Sequence, residues 1–149
     1  MTAPTKAAPF EYSKRPFNER ELQRGKQYIK LGRTDIMHAN IQVLREGGEN
    51  NLHSHRYLDG FWMVLKGRVR FYGPDKAVLG EFGSLQGIVI PRGVPYWFER
   101  VGDEEAEILQ VESHAISIPV DDQEILLKER VDHEPRLKNS TAPLKTPTG

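Results

Sequence analysis

The rhythm of apolar and polar positions changes near residue 35. From there the chain falls into short runs rich in β-branched and aromatic residues, at 36–44, 52–55, 61–66, 68–72, 77–82, 87–91, 96–100 and 107–116. Between them stand turn-forming clusters: Gly47-Gly48, Gly67, Gly73-Pro74-Asp75, Gly83, Pro91-Arg92-Gly93 and Gly102-Asp103. Seven or eight short strands at this spacing predict an all-β fold, an antiparallel sandwich or barrel. Upstream, residues 1–17 have no period and read as an extended arm. Residues 18–31 predict a short helix capped by Asn18 and weakened by Gly25. The resulting division is an N-terminal arm over 1–34, a barrel over 35–118 and a C-terminal extension over 119–149. Within that extension, 123–130 reads as one or two helical turns, and the rest as a disordered or partner-draped tail.

Composition narrows the chemistry. The chain has 149 residues, about one domain, and enough length to bury a core around a pocket. Lys+Arg and Asp+Glu are both 21, so no overall field draws it to nucleic acid or to an anionic membrane. Charge is uneven, however. Residues 1–34 carry eight Lys/Arg against three Glu, while the stretch from Asp103 is mostly acidic. The arm is read as a solvated charged segment, ahead of one docked on an acidic surface. With no cysteine, thiolate catalysis, Cys-ligated zinc, iron–sulfur clusters and disulfides are excluded, and any metal must be held by nitrogen and oxygen. No apolar leader occupies the first 20 residues, and no 18 apolar residues run together, which predicts a cytoplasmic protein without membrane contact.

The densest chemistry lies in GGENNLHSHRYLDGFWMVLKG, residues 47–67. His53 and His55, two apart on a strand, share a face at a spacing of about 6.5–7 Å, so both imidazoles can reach one ion or ligand inside a barrel. Gly47, His53-x-His55 and the run FWMVLKG ending at Gly67 resemble the first motif of the cupin superfamily. IVIPRGVPYWF, with Pro91-x-Gly93, resembles the second. The likeness covers about residues 40–100 and, with flanking strands, 35–118. It implies a single antiparallel jelly-roll β-barrel that dimerises with a second copy, the partner or a second sheet covering outward Phe61, Met63 and Leu65.

The resemblance also implies a divalent metal, Fe(II) first, with Zn, Mn or Ni as alternatives. Cupin metal sites use two His and a Glu from the first motif and a His from the second. Here the Glu position falls on Gly60, with Asp59 able to serve only if Gly60 forms a bulge. The second-motif His is replaced by Tyr96. Three arrangements stay open: a His53–His55–Asp59 triad, the two His with Tyr96, His38 or His114, or a metal-free site in which the His pair bonds an organic ligand. Tyr96 is also a candidate proton-transfer group. His38, Asn40 and Trp62 are pocket candidates, Trp62 and Val64 sharing the inward parity of position 60. Arg68 and Arg70 read as surface residues opposite inward Val69 and Phe71, His114 as structural or exposed, and His133 as without a role. The expected activity is that of a metal-dependent enzyme on a small organic molecule, oxygenase chemistry ahead of isomerase or lyase. The alternative is a metal-free binding or sensing module.

Overall fold

The computed structural model describes residues 5–115 and the backbone of 128–130. The remaining C-terminal residues, His133 among them, lie outside the described residues. Among the described residues ten strands form, all paired antiparallel: β1 Lys26–Arg33, β2 Met37–Leu44, β3 His53–His55, β4 Leu58–Lys66, β5 Val69–Tyr72, β6 Val78–Phe82, β7 Gly87–Ile90, β8 Trp97–Arg100, β9 Ala106–His114 and β10 Lys128–Arg130. A five-stranded sheet runs β1-β2-β9-β4-β7 and a three-stranded one β6-β5-β8. The β10-β3 pair joins the smaller sheet through a bridge between His53 and Tyr96. The fold is the all-β jelly roll expected from the sequence.

Two local expectations fail. The helix α1 spans only Glu19–Arg24, opened by an Asn18–Glu21 capping box and closed at Gly25 in the left-handed conformation. Residues 26–31, expected to continue that helix, belong instead to the edge strand Lys26–Arg33 paired with β2. Six residues give a helix little stability by themselves, whereas the exposed edge of β2 offers the next segment a full ladder of backbone bonds. Lys128–Arg130, inside the stretch expected to be helical, pairs as a strand with β3.

The basic arm is anchored at Tyr12, Lys14 and Phe17, while most of its charged side chains stay exposed as expected. Tyr12 donates to Glu107 Oε1 at 2.6 Å, Lys14 is ion-paired with Glu105 and Glu107, and the Arg45 guanidinium lies 4.1 Å from the centre of the Phe17 ring. The acidic stretch near Asp103 thus receives the arm of its own chain, and the arm lies against the outward side of β2 and β9, where Ile41 and Val43 are buried.

Strand alternation divides the interior into two halves. One end is apolar, with Leu44, Val64, Val69, Phe71, Ile90, Phe98, Ala106 and Ile108 packed between the sheets beside Trp62 and Tyr96. Val69 and Phe71 point inward as expected, and Arg68 and Arg70 pair outside with Glu81. Toward the other end the same inward positions turn polar. His38, Asn40 and Gln42 on β2 share the inner face with Gln110, Glu112 and His114 on β9, and the register sets His38 opposite Glu112 and Asn40 opposite Gln110. A half-filled barrel with a polar end is a cavity by construction.

Candidate functional site

That cavity has a volume of about 480 Å³, within the range of small-molecule sites. Its lining includes His38, Asn40, Gln42, His53, His55, Leu58, Trp62, Tyr96, Gln110 and Glu112. His53 and His55 are brought together as the i, i+2 spacing requires, with ring centroids 4.9 Å apart. The backbone bridge from His53 to Tyr96 sets the phenol beside them, its ring centroid 4.5 Å from that of His53. His53 Nδ1 bonds the carbonyl oxygen of Asn51 at 2.6 Å, which fixes the ring. As that Nδ1 carries the proton, Nε2 is the basic nitrogen.

Asp59 does not join this group. The β4–β9 register runs unbroken from Leu58 to Val64, so no bulge forms at Gly60 and strict alternation turns Asp59 outward. There it accepts a bond from the Arg92 backbone N–H at 2.9 Å and lies 3.4 Å from Arg92 Nε. The carboxylate inside comes from another strand. Glu112 on β9 lies directly across from Gly60, the position where the family's Glu would stand, and is 4% exposed. Gly60 leaves the room, since a Cβ there would come within 3.1 Å of the Trp62 indole nitrogen.

Glu112 is held on one side only. Its Oε1 accepts from His38 Nε2 at 2.5 Å and from Gln110 Nε2 at 2.7 Å, and Gln42 donates in turn to Gln110 at 2.8 Å. His38 Nδ1 meets His114 Nε2 at 3.0 Å. Burial first, then proximity to His38, holds His114 below the usual imidazole value, which favours its neutral ring. His114 is therefore buried and structural, not exposed, and it braces His38 from behind. Glu112 Oε2 has no hydrogen-bond partner and lies 3.9 Å from His55 Nε2. Two further buried polar atoms of the lining also lack partners, the Trp62 indole N–H and Gln42 Oε1. Buried polar atoms without a partner cost free energy unless a ligand or water satisfies them.

Tyr96 keeps its proton. Burial above all, then the Glu112 charge, pushes its phenol well above the ordinary value. It can donate a hydrogen bond but is a poor metal ligand, since only the phenolate binds strongly. Among the described residues no three His, Asp or Glu side chains stand in an arrangement that could hold a metal ion. Asp59, turned outward, does not stand with the two histidines.

The family model of the cupin domain matches residues 40–112, the span that holds both histidines, Tyr96 and Glu112. The chain belongs to the cupin superfamily. Solved structures share this cupin's fold at low identity. KdgF from Halomonas sp. aligns with a TM-score of 0.62 at 14% identity, over 73% of this chain and 94% of its own. An uncharacterised protein with a double-stranded β-helix domain from Klebsiella pneumoniae aligns at 0.57 and 15%, over 70% and 85%. The cupin domain of Cnp3 from Schizosaccharomyces pombe aligns at 0.55 and 12%, over 69% and 72%. No curated protein matches the sequence. Among the described residues of this cupin, no helix is long and apolar enough to cross a membrane.

Glu112, Gln110 and Gln42 escaped the sequence reading. The signal that could have found them is the pairing of two alternating patterns, His38-x-Asn40-x-Gln42 and Gln110-x-Glu112-x-His114, whose polar ends coincide once the strands pair antiparallel.

Proposed function

We propose that this cupin is an enzyme that binds a small polar organic molecule in the barrel and moves a proton on it, an isomerase- or lyase-type reaction with Glu112 as the base. One observation carries the proposal: the carboxylate in the cavity lining has one oxygen fixed by His38 and Gln110 and the other open beside His55. A base needs this combination of a fixed position and a vacant lone pair. Across the cavity, Tyr96 holds a proton and can donate to a developing oxyanion, as can the Trp62 indole N–H. Proton transfer is put ahead of the oxygenase chemistry expected from the sequence because a buried carboxylate and a protonated phenol line the same cavity. The test is incubation in D₂O with a panel of small carbonyl compounds, charged and neutral, followed by NMR. Catalysed deuterium incorporation next to a carbonyl supports the proposal, and no incorporation across the panel refutes it.

A second reading keeps the divalent metal. It is favoured by the bond from His53 Nδ1 to a backbone carbonyl, the outer contact that orients metal-bound histidines. His53 and His55 would hold it, with Glu112 reaching it only if the side chains shift from the arrangement described, in which no three His, Asp or Glu converge, and the ion would act as a Lewis acid toward substrate oxygens. Elemental analysis of the untagged protein decides: near-stoichiometric metal that is lost in His53→Ala supports it, and no metal after reconstitution refutes it.

A further inference from the structure

The mouth of the cavity carries a charge pattern unlike its floor. Arg24, Lys30 and Arg33 line it together with Tyr28, while the lining holds a single carboxylate, Glu112, at the polar floor. Three cations against one carboxylate leave the lining net positive, and Arg24 and Lys30 among them are exposed whereas Glu112 is buried.

The placement of two of these cations is built into β1. Lys30 and Arg33 are three residues apart, and in a regular strand an odd separation sends side chains to opposite faces. A register shift between Lys30 and Gly32 corrects this parity. Before the shift Tyr28 pairs with Gln42 and Lys30 with Asn40, and after it Arg33 pairs with His38, all three partners cavity residues. Bulges of this kind re-aim side chains at a cost in ladder bonds, and here the re-aimed residue is an arginine. Arg24 arrives from the end of α1, its guanidinium 6.0 Å from the centre of the Tyr28 ring. Among the described residues neither Arg24 nor Lys30 pairs with a carboxylate.

From this arrangement the geometry points to an anionic ligand: we propose that the molecule bound in the barrel is a small organic anion, its carboxylate or phosphate oxygens held at the mouth by Lys30, Arg33 and Arg24. An arginine offers two parallel N–H donors to such a group and a lysine a point charge. Held there, the anion's remainder extends inward toward the open Gln42 oxygen, the Trp62 N–H and Glu112. The proposal rests on the proton-transfer reading only for what happens at the inner end.

The test is an NMR titration of the ¹⁵N-labelled full chain with acetate and, separately, with inorganic phosphate, against acetamide, all at one ionic strength. Saturable shifts of the Lys30 and Arg33 amides and the Trp62 indole resonance are expected with an anion, and none with acetamide. Whichever anion gives the tighter curve names the oxygen group. The Lys30→Gln/Arg33→Gln pair weakens that curve tenfold or more, and Lys30→Gln alone, at an exposed position, weakens it in the same direction without risk to folding. Both anions leaving these resonances unmoved, acetamide matching them, or the variants retaining wild-type affinity would each overturn the proposal. In Glu112→Gln the anion titration should persist. If it does while no proton exchange is found in the wild type, the proton-transfer reading alone fails. If exchange is found without any preference for anions, the anion proposal alone fails.

Discussion

Gly87 is where a single added methyl group would meet backbone most closely. It pairs with Met63 at the end of the β4–β7 ladder, and a Cβ built there would lie 1.7 Å from the Trp62 carbonyl oxygen, 2.7 Å from its carbon and 2.9 Å from the Met63 Cα. All three are backbone atoms, so no side chain can rotate away. Relief requires the two strands to part by more than an ångström at that point. The parting strains two adjacent bonds, Gln86 O to Val64 N at 2.8 Å and Val64 O to Leu85 N at 2.7 Å. Two backbone bonds at about 1 kcal/mol each, with about 1–3 kcal/mol of overpacking, put Gly87→Ala at about 3–5 kcal/mol destabilising. The lower backbone entropy of alanine in the unfolded chain returns about 0.4–1 kcal/mol, leaving about 3 kcal/mol net. Urea unfolding followed by tryptophan emission should show the midpoint falling by more than about 1 M, taking a slope of about 1–3 kcal/mol/M. Gly32→Ala, whose Cβ would meet nothing within 4 Å, is the control and should change stability by less than about 1 kcal/mol. A Gly87→Ala protein within about 1 kcal/mol of wild type would refute the close approach of β4 and β7.

Three other outcomes are expected. Because His114 is held below its ordinary value of about 6.5, the unfolded chain binds its proton more readily; its contribution to stability is complete above that pH and is lost as pH falls through the folded value. Unfolding measured from pH 7.5 down to 5 should show this loss, and His114→Gln should flatten it. Tyr12→Phe removes the 2.6 Å bond to Glu107, so it should cost about 1–2 kcal/mol in urea and expose the arm to protease; unchanged proteolysis would show that the arm is not anchored there. Trp62→Phe keeps an aromatic ring in the core but deletes the open N–H, so thermal unfolding should shift modestly while ligand affinity falls about fivefold or more, for a lost bond of about 1 kcal/mol.

The barrel was legible because its two motifs fall on features with a local physical signature: alternating histidines on one strand face, and the IPRGVP turn before an aromatic strand. The Lys26–Arg33 strand was not, since its polar alternation on an edge resembles a charged helix and the shift after Lys30 breaks the period of two. Position 60 shows a different limit. Reading along one strand placed the carboxylate at Asp59 or nowhere, whereas the ladder sets Glu112 directly across from Gly60, a pairing that no local pattern encodes. The docking of the arm likewise depended on Glu105 and Glu107, whose nearness to Lys14 only the folded chain creates.

The most direct test of the site is one rate comparison: deuterium exchange on whichever carbonyl compound the wild-type protein labels fastest, measured for Glu112→Gln and Asp59→Asn side by side. Glu112→Gln should lose about 10²-fold or more, as expected for a general base, while Asp59→Asn, facing outward to Arg92, should stay within about twofold. A Glu112→Gln protein that exchanges at the wild-type rate, or an Asp59→Asn protein that does not exchange, would contradict the assignment of the working carboxylate to β9.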